Sequence, residues 1–189
     1  IDETPYAFVA TPGDMSVQII DLTDPSSPGN AAVIYDGLND GADRHFTALA
    51  NPHGVSTIEI GGNTYLVVSA WGEKAVSIVN VSNPEIPLLT SAIRGGTTDS
   101  SGNTFDELDQ AHGIATAKIG NKYYAMVASI NDDGVQIIDI SDPADPLAVA
   151  SVSDGGDYKL DGANRIAVAE VDGKSVMLVA SNKSQAIQI

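Results

Sequence analysis

The chain has 189 residues, 43% of them hydrophobic, which is enough for an ordinary folded domain and leaves too few charged or Pro-rich tracts for disorder. Its 25 acidic against 9 basic residues give a net charge of -16, which disfavours nucleic acid and anionic lipid as partners and favours cations. With no Cys, thiol catalysis, disulfides and Cys-type zinc sites are excluded, and no apolar run reaches the roughly 18 residues of a membrane-spanning helix. The chain starts at Ile1 with no basic-then-apolar leader behind it, so any signal segment is expected to have been removed or to lie outside this sequence.

In chain order, the first element is an apolar run at residues 6–10, whose counterparts return at 65–70, 124–129 and 176–181. These runs are apolar at nearly every position, so both faces of each strand are expected to be covered. A short loop follows each, and then a second motif: Val17-Gln18-Ile19-Ile20-Asp21-Leu22-Thr23-Asp24-Pro25, Val76-Ser77-Ile78-Val79-Asn80-Val81-Ser82-Asn83-Pro84, and Val135-Gln136-Ile137-Ile138-Asp139-Ile140-Ser141-Asp142-Pro143. The three copies are 59 residues apart and a fourth opens at Ile187, a period that signals stacked supersecondary units. Each copy ends at a pair of prolines (Pro25 and Pro28, Pro84 and Pro87, Pro143 and Pro146), and Pro lacks the donor a central strand needs. An outer, edge-like strand is therefore expected after the pair, at 88–93 and 147–152. Long polar loops at 36–45 and 94–103, and a shorter one at 154–157, lead into further strands at 54–60, 113–119 and 166–171. Those strands close in hairpin turns at Gly61-Gly62-Asn63, Gly120-Asn121-Lys122 and Asp172-Gly173-Lys174.

Four antiparallel strands per repeat with apolar faces predict an all-β fold, a β-propeller built from four-stranded antiparallel blades. Residues 1–37 form a partial blade, 38–96 and 97–155 a blade each with its preceding loop, and 156–189 a second partial blade. Together they make one propeller domain of about three and a half blades, part of a larger ring. The two-residue alternation excludes helical repeats, and the hairpins disfavour a parallel β-helix. The incomplete blades predict either further residues of the same protein or strands supplied by a partner chain, because broken strand edges pair.

The pattern Val-x-Ile-Ile-Asp-Ile-Ser-Asp-Pro-x-x-Pro, with a Tyr-Ala-x-Val-Ala-Ser strand before it, resembles the LVIVD-repeat β-propeller family of secreted and cell-surface proteins of bacteria and archaea, over nearly the whole chain. The style of Asn131-Asp132-Asp133-Gly134 and of Phe105-Asp106-Glu107-Leu108-Asp109 is similar to that of repeats in surface proteins of marine ammonia-oxidising archaea. The resemblance implies an extracellular or cell-surface location. It also implies a non-catalytic role in protein–protein or protein–glycan contact, with other subunits or further blades of the same chain as partners. The motif is specific for fold and weak for function.

His53 and His112 hold equivalent places before the first strand of their blades, the innermost of a propeller, so two imidazoles could face one axial metal. The third equivalent is Asn164, and a repeated loop contact is the plainer use of the position. The Asp- and Gly-rich loops offer the oxygen ligands calcium takes, with Asp99, Asp106 and Asp109 as candidates, although none matches EF-hand spacing and Asp and Gly also serve as plain turn residues. Trp71 falls in a loop matched with Asn131, where a part-exposed ring could anchor a partner or a sugar or pack on a neighbouring loop. Asn80 and Asn182 open glycosylation tripeptides, which act only in an exported protein. The sequence holds no Ser-His-Asp order, P-loop, dinucleotide turn or paired-carboxylate motif, but a propeller can assemble a site from separate blades. Two alternatives therefore stand beside the contact module: a calcium-dependent propeller hydrolase of phosphate esters or lactones, and a filament or surface-layer subunit completed by neighbouring chains.

Overall fold

The computed structural model describes residues 4–42 and 44–189; Asp43 of the first long loop lies outside the described residues. Fourteen strands form four antiparallel sheets among them. The first sheet holds β1 (Tyr6–Thr11), β2 (Ser16–Asp21) and β3 (Gly29–Tyr35), and the second holds β4 (Pro52–Ile60), β5 (Asn63–Ala70), β6 (Ala75–Asn80) and β7 (Leu88–Arg94). The third holds β8 (Ala111–Ile119), β9 (Lys122–Ser129), β10 (Gly134–Asp139) and β11 (Leu147–Ser153), and the fourth β12 (Ala163–Val171), β13 (Lys174–Ser181) and β14 (Ala186–Gln188). In each sheet neighbours in sequence are neighbours in space, the up-and-down order of a propeller blade. The strands before the hairpin turns, expected from residues 54, 113 and 166, begin two or three residues earlier at Pro52, Ala111 and Ala163.

The apolar runs meet on both faces because each blade packs against the next. Val17, Ile19, Phe46, Leu49, Leu66 and Val79 fill the space between the first and second blades. Val67, Ile78, Phe105, Leu108, Val127 and Ile138 fill the second interface, and Met126, Val135, Leu160 and Val179 the third. Leu49, Leu108 and Leu160 come from the loops preceding the inner strands, so each loop plugs an interface rather than lying in solvent.

The inner strands β4, β8 and β12 lie side by side and are stitched together. Thr116 Oγ1 donates to the Thr57 carbonyl at 2.9 Å, and Ser69 Oγ donates to the His112 carbonyl at 2.6 Å. Their spacing requires glycine. A Cβ on Gly54 would stand 2.4 Å from the His112 carbonyl oxygen, and one on Gly113 would stand 2.6 Å from that of Asn164, both backbone atoms that cannot swing away.

Candidate functional site

Each inner strand is entered through a residue in the left-handed region, Asn51 (φ 56°), Gln110 (φ 57°) or Gly162 (φ 70°). Two residues on, the pairing register slips: between Pro52 and Gly54, between Ala111 and Gly113, and between Ala163 and Arg165. The residues left out of the ladder are His53, His112 and Asn164, so the repeated position is a β-bulge, a device that re-aims a side chain.

The bulges bring the two histidines together. Their ring centroids lie 4.3 Å apart, and the Trp71 ring stands 5.0 Å from His53 and 5.9 Å from His112. Trp71 is held there by its backbone: its N–H donates to the Asn51 carbonyl at 3.1 Å, and the Gly72 N–H donates to the Ala50 carbonyl at 3.0 Å. The same bonds recur from Ile130 to Gln110 and from Asn182 to Gly162, so Trp71 corresponds to Ile130 and Asn182. The alignment of Trp71 with Asn131 is corrected by one residue, because backbone bonding rather than the start of the turn sets the register.

Arg165 completes the cluster from the fourth blade. Its Nη1 donates to His112 Nδ1, to the Asn164 carbonyl at 3.3 Å and to Asn164 Oδ1 at 2.8 Å. A guanidinium only donates, so His112 Nδ1 must present its lone pair and the ring is neutral. Burial, His53 and the Arg165 charge together push the His112 pKa down to about 4, against a smaller upward pull from the Asn164 backbone. Burial and then Arg165 lower that of His53 as well. Arg165 stands where Gly54 and Gly113 stand in the preceding blades, a substitution the sequence displays but whose partners only the tertiary contact reveals.

The aspartates lie elsewhere. Asp99 Oδ1 accepts from the N–H groups of Ser101 and Asn103 at 2.8 and 2.9 Å, and Oδ2 from that of Ala148 at 2.8 Å. Asp40 repeats the arrangement with Ala42, Arg44 and Leu89. Burial raises the pKa of both, and the ring of N–H donors more than offsets it, leaving both lowered. The carboxylates latch their loops to outer strands β7 and β11. Asp109 pairs with Lys74 at 2.8 Å, and Asp106 is exposed, with its N–H on Gln136 Oε1. Among the described residues no group of three or more His, Cys, Asp or Glu side chains is placed to hold a metal ion. Glu107 between them is buried, with Ser153 donating to Oε1 at 2.6 Å and Oε2 unpartnered, and burial raises its pKa. Asn80 Oδ1 accepts from the Ser82 N–H at 2.9 Å, whereas Asn182 is exposed.

Fold and repeat together define a segment of a β-propeller. The LVIVD repeat matches residues 5–35 and 120–154, so the chain carries LVIVD repeats in two stretches. No curated protein matches it by sequence. Among solved structures it is similar to an exo-β-1,3-galactanase from Phanerochaete chrysosporium determined with β-1,3-galactotriose (TM-score 0.63, 10% identity, 96% of this chain and 42% of that one). An exo-β-1,3-galactanase from Clostridium thermocellum is also similar (TM-score 0.55, 10% identity, 89% and 36%). So is the C-terminal domain of PilY1 from Pseudomonas aeruginosa (TM-score 0.53, 16% identity, 93% and 36%). The chain spans less than half the length of each, and at these identities the likeness is one of fold.

Proposed function

We propose that the chain is a non-catalytic, extracellular propeller module that makes glycan or protein contact through the mouth formed by its inner-strand bulges. One observation carries this reading: Trp71, His53, His112 and Arg165, drawn from three successive blades, converge on one place. A cluster of planar rings beside a guanidinium offers flat faces and directed donors, the means by which proteins hold sugars and aromatic or carboxylate-bearing groups. Neutral imidazoles keep the cluster from repelling its own arginine. The likeness of its repeats to those of secreted and cell-surface proteins supports an exported location. The galactanase neighbours favour the glycan arm, as an inference from fold. Binding of the chain to a glycan array, compared with Trp71→Ala, tests it: retention by the parent chain and loss in the variant is the expected result, and equal signals from both would place the contact elsewhere.

A further inference from the structure

The loops that lead into the second and third blades are held by the same bonds but carry different side chains. Asp40 accepts from the N–H groups of Ala42 and Arg44 and from Leu89 of its outer strand; Asp99 accepts from Ser101, Asn103 and Ala148 in the same way. Arg44 and Asn103 therefore leave equivalent backbones at equivalent places, one repeat apart. Arg44 reaches over its outer strand, and its Nη1 donates to the Leu89 carbonyl at 2.7 Å. Asn103 is too short for that reach, and its Nδ2 lies back against Asp99 Oδ2 at 3.4 Å.

The place that Arg44 takes in the second blade is open in the third. A cleft of about 240 Å³ lies there, with Asn103, Thr104, Asp106, Gln136, Ala148 and Ser151 in its walls. Ala148 belongs to the core between the second and third blades, and both of these blades have all four strands, so the cleft does not arise from an incomplete blade. The Ala148 N–H points out of the sheet to Asp99, and the carbonyl of the same residue shares that edge. Among the described residues no side chain donates to this carbonyl. Asp106, exposed, stands where the second blade has Thr47, and so adds a carboxylate that the Arg44 site lacks. The arginines of the chain are engaged elsewhere, Arg44 on Leu89, Arg94 on Glu73 and Arg165 on His112.

We propose that this cleft receives an arginine side chain from a basic partner protein, whose guanidinium donates to the Ala148 carbonyl as Arg44 does to that of Leu89 and also to the Asp106 carboxylate. The second blade shows the occupant that the slot is shaped for, and the net charge of -16 draws a cationic partner toward it. A planar guanidinium can serve a carbonyl and a carboxylate at once, which the single point of an ammonium does less well. The site lies apart from the ring cluster and does not depend on the contact proposed there.

The test is an NMR titration of the isotope-labelled chain at low salt with two blocked tripeptides, acetyl-Gly-Arg-Gly-amide and acetyl-Gly-Lys-Gly-amide. The expected result is saturable shifts centred on the amides of Asn103, Asp106, Ala148 and Ser151, with the arginine peptide bound more tightly than the lysine one. Asp106→Asn should weaken that binding about threefold or more, and Trp71→Ala should leave it unchanged. Asn103→Arg returns the second-blade occupant to the slot and should abolish the shifts while the rest of the spectrum stays that of the parent. Equal binding of the two peptides, shifts spread over the acidic surface that survive in Asn103→Arg, or no shifts at all would each overturn the inference. Shifts at Trp71 and His112 instead would also overturn it, while supporting protein contact at the mouth.

Discussion

His112 makes stability depend on pH in a window that few other groups share. Its pKa falls from 6.5 to about 4 on folding, so the unfolded chain binds the proton more readily between those values. A base with a depressed folded pKa contributes stability that is present above the unfolded pKa and is lost as pH falls toward the folded one. At about 1.36 kcal/mol per pH unit the whole interval corresponds to about 3 kcal/mol, and water reaching the mouth beside exposed Arg165 reduces the expected loss to about 2 kcal/mol. His53 shifts in the same direction, while the raised carboxyls Glu107 and Asp132 act in the opposite sense. The useful quantity is therefore the difference between the parent and His112→Gln, measured by urea unfolding at intervals from pH 8 to pH 4. The variant should lose less stability than the parent between pH 6.5 and 4, by about 2 kcal/mol, whatever its stability at pH 8. Parallel curves would show that His112 is not held neutral, and the assignment of its Nδ1 as acceptor for Arg165 would fall with them.

Gly113→Ala would press a methyl group into the Asn164 carbonyl and the Arg165 backbone, and should cost about 2–3 kcal/mol in urea unfolding; the same change at Gly120, where the added carbon meets nothing, serves as the comparison for its left-handed strain alone. Leu108→Ala removes a fully buried plug between the second and third blades and should cost about 3 kcal/mol. Glu107→Gln should raise the melting temperature at pH 7, because the raised carboxyl pKa means that ionisation opposes folding; the gain should shrink as pH falls through the carboxyl range, and a gain that persists at pH 3 would contradict the assignment. Asp99→Asn should lower the melting temperature by releasing the loop from β11, and millimolar calcium should leave both proteins unchanged; a calcium-dependent rise in the parent alone would instead assign the loop to calcium.

The 59-residue spacing of the Val-x-Ile motifs, the paired prolines and the Gly-Gly and Gly-Asn turns determined the blade, because strand pairing and turn chemistry act between residues close in sequence. The equivalence of His53 and His112 was legible for the same reason, and adjacent inner strands turned it into contact. The spacing did not disclose that Asp99 is occupied by three loop and strand N–H groups, since Ala148 reaches it from an outer strand far along the chain. Nor did it disclose that Gly54 and Gly113 are required by a neighbouring backbone, or that Arg165 at the same register meets His112. Local sequence sets which strands form and where each one bulges. Which side chains then meet is decided by packing one blade on the next, because the contacts that make the mouth run between blades, over separations that no local pattern encodes.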